Sequence, residues 1–349
     1  MRIKYSALLS IFCIAALPAA GFAQSLGQEQ IQEKKELNSM KSEINDIKSH
    51  MEKTINQLSD MADQLSQGPE NEIHLMVKET RVEILPGKYM DGLTYNGKLP
   101  GPTIRVREGM PLKVVLHNQS HKQTSLTFHG LRLPQSVAGL PRRKAGAVNP
   151  GEIFAYQFIP SQVGTFWYHP QVNHLFQKSL GLYGALVVEP AQPRHSYDRD
   201  FVLVFGQSTV KSMPRSPVSD NDSRNSQTKG GETAFTINGS TGSSMKPMEI
   251  RKGERIRLRL VNASNQPIPL SLTGHKLEIV STNGSDALEP HTFRDTVTLN
   301  PSDRVDAEFT ADNPGVWSLA SEIPEQASDQ GTFPGGIACV VKYIEFGNE

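Results

Sequence analysis

The chain of 349 residues has only two cysteines, Cys13 and Cys339, and Cys13 lies in an apolar N-terminal stretch. If that stretch is removed, one thiol remains and an intramolecular disulfide is excluded. The 36 basic and 36 acidic residues cancel, and nothing in the sequence suggests the basic patch or stripe of a nucleic-acid-binding protein. Beyond the N-terminus, no apolar run approaches the ~20 residues of a transmembrane helix. We therefore expect no nucleic-acid partner and no membrane-spanning segment.

The first 23 residues have the layout of a secretory signal peptide. Arg2 and Lys4 give a basic start, residues 7–20 are apolar, and Gly21-Phe22-Ala23 supplies the small residues of a cleavage site. The apolar part is too short to span a bilayer comfortably. We assign residues 1–23 to a signal peptide and expect a periplasmic or secreted protein.

Residues 28–67 lack glycine and proline and are rich in Lys, Glu, Ser, Asn and Gln. Apolar residues recur there at alternating steps of three and four, with Thr54 as the exception: Leu37, Met40, Ile44, Ile47, Met51, Leu58, Met61 and Leu65. This spacing predicts an α-helical coiled-coil segment over residues 24–70, which Gly68-Pro69 ends. It favours a homo-oligomer, with a trimer as one option. The alternative is a single amphipathic helix lying on the parent domain.

From residue 71 onward the sequence is typical of β-structure. Short runs rich in β-branched or alternating residues, such as 77–84 and 113–117, are separated by Gly- and Pro-containing turns. This pattern predicts an all-β sandwich or barrel rather than a βαβ fold, and it recurs after a polar stretch at 211–231. We assign residues 71–192 to a first domain, 193–231 to a linker or flexible loop, and 232–349 to a second domain.

Seven segments of these β regions, taken in order, resemble the motifs of a known family. They are Tyr95–Gly109, Thr124–Gly130, Gly164–Gln171 and Gly181–Gly184 in the first region, and Phe235–Gly239, Arg255–Ala263 and Asn313–Trp317 in the second. Together they resemble the multicopper oxidases, over residues 75–190 and 232–346. The resemblance implies two cupredoxin-like Greek-key β-sandwich domains. The copper nitrite reductases share this two-domain plan.

The resemblance also identifies the positions at which family members bind copper. The two His-x-His pairs of the first domain fall on Thr127/His129 and His169/Gln171, so half of these ligands are present. The second-domain positions carry other residues, including at the place of the copper thiolate: Ile268, Ser271, Thr273, Ala320, Ser321, Glu322, Gln326 and Ile337. A type 1 copper centre needs a thiolate and two imidazoles. We therefore expect the type 1 and trinuclear sites to be lost.

His129 and His169 match positions that lie close together in the family. They also match the type 2 copper pair of nitrite reductases, whose third ligand comes from a neighbouring subunit and falls near Glu322 here. His129, His169 and Glu322 are therefore our candidate metal site for copper, zinc or iron. The alternatives are that both histidines are relics, hydrogen-bonded in the domain interface, or that they form a two-ligand or His174-assisted site.

Cys339 lies in an apolar run and no histidine flanks it, so we interpret it as a buried small hydrophobe rather than a copper ligand.

No motif assigns a catalytic residue. Two functions follow. The first is an exported scaffold without a cofactor, which binds a partner in the cell envelope through the coiled coil or the β-domains. The second is a copper-binding oxidoreductase or copper-handling protein with one mononuclear site.

Overall fold

The computed structural model describes residues 32, 34–51, 54, 71–133, 147–192, 196–212, 231–286 and 291–344. The predicted signal peptide and the C-terminal part of the predicted coiled coil lie outside these residues. The chain divides into two compact units, 1–67 and 68–349. Among the described residues, no helix combines the length and apolar character that crossing a bilayer needs.

In the first unit, residues 34–51 form helix α1, and residues 32 and 54 are also helical. Its side chains are exposed along the whole described length. Five apolar residues with the predicted heptad spacing are 48–62% exposed: Leu37, Met40, Ile44, Ile47 and Met51. The helix is therefore present with an uncovered apolar stripe, and its self-association stays a prediction.

Among the described residues of the second unit, most regular elements are strands, with two short helices, α2 (His174–Ser179) and α3 (Pro324–Ala327), and a 3-10 turn at Gly242–Ser244. The strands are β1 (Asn71–Leu85), β2 (Lys88–Tyr95), β3 (Ile104–Arg107), β4 (Leu112–Asn118), β5 (Thr127–His129), β6 (Ile153–Phe158), β7 (Gly164–His169), β8 (Gly184–Glu189), β9 (Arg199–Ser212), β10 (Glu232–Ile237), β11 (Met248–Ile250), β12 (Arg255–Asn262), β13 (Ile268–Leu272), β14 (Leu277–Thr282), β15 (Ser285–Asp286), β16 (Thr292–Arg294), β17 (Thr296–Leu299), β18 (Arg304–Thr310), β19 (Val316–Ser321) and β20 (Ala338–Tyr343).

These strands form two sandwiches, as the fold-class prediction required. In the first, the sheet β2-β1-β4-β6 packs on the sheet β3-β8-β7-β5, and a core of alternating apolar residues lies between them. In the second, the strands β15-β14-β18-β12-β9, with β10 and β16, pack on the sheet β11-β20-β19-β13-β17. Alternation of buried and exposed residues along strands such as β1 and β3 explains why the sequence predicts them.

The two sandwiches are joined by sheet and core rather than by a loose tether. Strand β9 pairs with β12 and β10 of the second sandwich and, at Lys88↔Ser212 and Tyr89↔Lys211, with β2 of the first. A third buried cluster, which includes Trp167 and Tyr183 from one side and Val204 and Val261 from the other, fills the space between them. Residues 199–212 are therefore a strand, which corrects the assignment of that part of 193–231 to a linker. Residues 213–230 are not among the residues that the structure describes.

Cys339 lies in β20 opposite Leu319 and is fully buried in the second core. Burial raises the pKa of its thiol, so the neutral form is favoured. Its Sγ lies 3.6 Å from the carbonyl oxygen of Val340. This environment agrees with the prediction that Cys339 is a small hydrophobic residue buried in the core.

A buried ionic cluster ties the sandwiches together at Arg259 of β12. Its Nε donates to both carboxylate oxygens of Asp200, at 2.8 and 2.9 Å, and its Nη1 donates to Asp306 at 3.1 Å. The same Nη1 reaches Thr165 Oγ1 of the first sandwich at 3.1 Å. The side chains of Arg259 and Asp306 are only 2% and 3% exposed. Asp200 also pairs with Arg105 of the first sandwich, at 3.0 Å. The Arg259–Asp306 pair therefore lies where solvent cannot replace a lost partner.

Replacing Arg259 with methionine should strongly destabilise the β unit. The substitution leaves Asp306 without its cationic partner, and breaking a buried pair from one side costs about 3–5 kcal/mol. Chemical denaturation at neutral pH measures the difference. The matched control is Lys276→Ala, in the exposed Lys276–Asp295 pair, which should leave the midpoint nearly unchanged because surface pairs contribute little. Equal effects of the two substitutions would contradict the interpretation of the cluster.

Candidate metal site and interdomain cavity

The antiparallel pairing of β5 with β7 brings His129 and His169 together. The register sets Thr127 opposite His169 and His129 opposite Trp167, so the two histidines lie diagonally on neighbouring strands. Their facing ring nitrogens, His129 Nδ1 and His169 Nε2, are 3.2 Å apart. The structure therefore places these two predicted site residues in direct contact.

The hydrogen bonds of this pair determine where its protons lie. A carbonyl oxygen can only accept, so His169 Nδ1 carries a proton and donates it to Pro170 O at 2.8 Å. His169 Nε2 is then the acceptor for His129 Nδ1–H. Burial, the largest cause, lowers the pKa of His169 to about 4, and burial also lowers the pKa of His129. Both imidazoles are therefore neutral near pH 7.

The pair opens into a cavity of about 590 Å³ between the sandwiches. Its lining is His129, Trp167, His169, Gln171, His174, Leu175, Lys178, Asn265, Pro301 and Ser302. Lys178, on α2, is buried and donates to Ser264 O of the second sandwich at 3.4 Å. Its ammonium lies 5.9 Å from the centre of the Trp167 ring, and burial lowers its pKa. His174 is exposed at the mouth of the cavity.

Arg304 is a second cation close to the pair. Its guanidinium donates to the carbonyl oxygens of Ser302 at 3.1 Å and Asn283 at 2.9 Å. It packs against Gly130, whose φ of +90° and close contact would exclude a side chain. Arg304 and Lys178 both lower the pKa of His129. The same positive field opposes a metal cation at the imidazoles.

Glu322 lies elsewhere within the chain. It accepts a hydrogen bond from Thr296 Oγ1 at 2.5 Å and lines a separate cavity with His275 and Lys276. Among the described residues of one chain, no three His, Cys, Asp or Glu side chains converge as a metal site. A site on His129, His169 and Glu322 would need Glu322 from another copy, which stays a prediction.

The positions that the family resemblance assigns to type 1 copper hold a closed polar network and core residues. Ser321 Oγ donates to Gln326 Oε1 at 2.7 Å, and Gln326 Nε2 donates to Pro267 O at 3.0 Å. Ser321 and Gln326 are both buried, and Ile268 and Ile337 are fully buried in the second core. These side chains satisfy one another and provide neither thiolate nor imidazole, so they do not fit a type 1 copper ion.

The other substituted positions are also internally bonded. Thr127 Oγ1 donates to Gln171 Oε1 at 3.4 Å, across the same strand pair that carries the histidines. Thr273 Oγ1 accepts from the backbone N–H of Ser318 at 2.9 Å. The described residues at these places therefore do not fit a trinuclear cluster.

The sequence analysis missed Lys178 and Arg304. Lys178 follows Phe176-Gln177 in a segment with no recognisable motif, and Arg304 stands in the turn-like sequence Ser302-Asp303-Arg304. Only the packing of the two sandwiches brings Lys178 to the cavity and Arg304 against Gly130, next to the histidine pair. Nothing in the local sequence could have identified them.

Comparison with known proteins assigns the family. Two family models, both described as multicopper oxidase, match residues 76–193 and 213–333. Laccase-12 of Arabidopsis thaliana is 32% identical over 268 residues, which cover 68% of this chain and 44% of that protein. The blue copper oxidase of Nitrosomonas europaea superposes with a TM-score of 0.68 at 26% identity, covering 78% of this chain and 86% of that one. The chain belongs to the multicopper oxidase family.

Two further findings limit what membership of this family implies about the chain. The chain spans about half, or less, of the length of the curated relatives it matches. A copper nitrite reductase from Nitrosomonas europaea superposes with a TM-score of 0.63 at 21% identity, covering 78% of this chain and 93% of that one. At that identity the likeness shows the shared two-sandwich fold alone.

The buried His169 should couple stability to pH. Its folded-state pKa of about 4 lies below the ordinary value of 6.5, so the unfolded chain binds the proton more tightly. The stabilisation by neutral His169 is complete above about pH 6.5 and is lost as pH falls toward 4, by about 3 kcal/mol in total. Urea unfolding near pH 7 and near pH 4.5 should therefore show a steeper loss for the parent than for His169→Gln.

The control for this comparison is His121→Gln, at a histidine whose side chain is 94% exposed. This variant should follow the pH dependence of the parent. Parallel stability curves for the parent and His169→Gln would contradict the effect assigned to burial.

Proposed function

We propose that this protein is an exported, non-catalytic member of the multicopper oxidase family, which oligomerises through α1 and binds a partner protein in the cell envelope. The observation that carries the proposal is the Ser321–Gln326–Pro267 network at the type 1 copper position. Electron entry in this family begins at a copper thiolate. A pair of uncharged side chains that satisfy each other cannot take that role.

The electrostatics of the interdomain cavity support the same proposal. The two histidines bond to each other, the buried Lys178 ammonium lies beside Trp167, and Arg304 packs against Gly130. Placing a divalent cation at the imidazoles would require it to sit in the field of two existing positive charges. The arrangement favours a structural hydrogen bond over metal binding.

The exposed stripe of α1 supports self-association. Burying one such Leu, Ile or Met side chain stabilises an assembly by roughly 1.5–3 kcal/mol before entropic costs. The steps of three and four between Leu37, Met40, Ile44, Ile47 and Met51 match the a and d positions of a coiled coil. A second copy of this helix offers the complementary surface. The remaining β-surface would then be available for a partner of a different kind.

Metal analysis tests the loss of the copper sites. Purified, tag-free protein loaded with copper and then dialysed against a chelator should hold no copper at the type 1 or trinuclear positions. It should show no absorption near 600 nm of the kind that a copper thiolate produces, and it should not oxidise phenolic substrates. A blue colour, or oxygen consumption with such a substrate, would overturn the proposal.

Deleting residues 28–67 tests the role of the helix. The full chain should behave as an oligomer in light scattering, and the truncated chain should behave as a monomer with an unchanged β-sheet circular dichroism spectrum. The matched variant is Ile44→Lys/Ile47→Lys, which keeps the length but charges the stripe and should also give monomers. An unchanged mass in both variants would contradict coiled-coil assembly.

A second function is favoured by one observation, the contact between His129 Nδ1 and His169 Nε2. Two imidazoles that face one another could hold copper, zinc or iron if Glu322 of another copy completed the site, and the protein would then be a metal-dependent oxidoreductase or copper-handling protein. About one metal ion per chain that is lost in the His129→Ala/His169→Ala variant would support this function against the scaffold. Retention of metal in that variant would locate it elsewhere.

A further inference from the structure

A second pair of histidines lies on the outer face of the first sandwich, away from the core. Strands β1 and β4 run parallel there, with Met76 opposite His117 and His74 opposite Val115. The inward residues of both strands, such as Leu75 and Leu116, fill the first core. His74, Met76 and His117 therefore leave the opposite face together. His74 Nδ1 and His117 Nε2 are 2.9 Å apart.

The carboxylate of Glu72 lies beside the His74 ring. Glu72 Oε1 lies 3.1 Å from His74 Nε2, and its other oxygen accepts from Lys113 Nζ at 3.2 Å. A negative charge therefore lies next to the pair of rings, and a nearby charge of opposite sign favours a cation bound there.

The strand that carries these residues is held in place from its other side. The Asn96 side chain accepts from Met76 N–H at 2.6 Å and donates to His74 O at 2.9 Å. Asn96 itself has a left-handed backbone, with a φ of 56°. The backbone of β1 is therefore fixed at both His74 and Met76, and a site built on such a strand is precise.

We propose that His74, His117 and Met76 form a surface site for Cu(I), which also takes Zn(II) through its two imidazoles. At metal–nitrogen bonds of about 2.0–2.1 Å, a nitrogen separation of 2.9 Å corresponds to an angle of about 90° at the metal, and a small opening gives the tetrahedral value. The metal takes the place of the proton that the two rings share, and the ring that held this proton then carries it on its other nitrogen.

The thioether makes copper the expected preference. Met76 is 38% exposed and is the register partner of His117, so its sulfur can reach an ion held by the two rings. Soft thioether ligands select Cu(I), whereas imidazoles accept zinc and copper alike. The site shares no residue with the His129–His169 pair and does not depend on the proposed scaffold role.

Competition titrations on the full, tag-free chain test the proposal, with a colorimetric Cu(I) chelator under anaerobic conditions and a zinc indicator in parallel. His74→Ala and His117→Ala should each weaken both metals at least tenfold. Met76→Leu should weaken Cu(I) about tenfold and leave Zn(II) unchanged. Glu72→Gln should weaken both metals severalfold, because it removes a negative charge that lies 3.1 Å from the His74 ring.

The matched control is His121→Ala in the same sandwich, where one exposed histidine faces Glu79 without a second ring. Its affinities should equal those of the parent, and His129→Ala/His169→Ala should also leave this site intact. His74→Gln and His117→Gln serve as further variants should an alanine variant fail to fold. Unchanged affinity in the His74 and His117 variants, or an equal loss in His121→Ala, would overturn the site.

Discussion

The interaction on which the rest depends is the buried cluster of Arg259 with Asp200, Asp306 and Thr165. It joins the second sandwich to the first at a point where Arg259 and Asp306 are almost fully buried, so that water cannot replace a missing partner. Together with the shared strand β9 and the apolar contact around Trp167, it sets the two sandwiches in one relative position. The cavity beside His169 exists because this position is determined.

The positions that the family resemblance assigns to copper in the second sandwich are not holes. Ile268 and Ile337 are core residues there, and Ser321 and Gln326 form a closed hydrogen-bond network. Buried polar groups are tolerated only when they are paired. These side chains therefore satisfy one another within the fold.

In the first sandwich the same physical rule leads to a different result. His129 and His169 are hydrogen-bonded to each other, and His169 also donates to the carbonyl oxygen of Pro170. Lys178 and Arg304 add positive charge beside the pair. On the outer face, His74 and His117 have a similar nitrogen separation, with a carboxylate and a thioether in place of two cations. Burial and the sign of the neighbouring charges distinguish the two pairs.

The sequence by itself determined the family and the two-sandwich fold, because alternation along strands and motif order are local properties. The closeness of His129 and His169 was implied by the resemblance to that family rather than by these patterns. The sequence did not determine that residues 199–212 form a strand, since their polar end at Lys211 and Ser212 resembles a linker and their pairing partners lie far along the chain. Lys178, Arg304 and the His74–His117 pair were also decided only in three dimensions. Contacts between strands depend on the register of the strands and on the packing of the two sandwiches, and a local sequence pattern predicts neither of them.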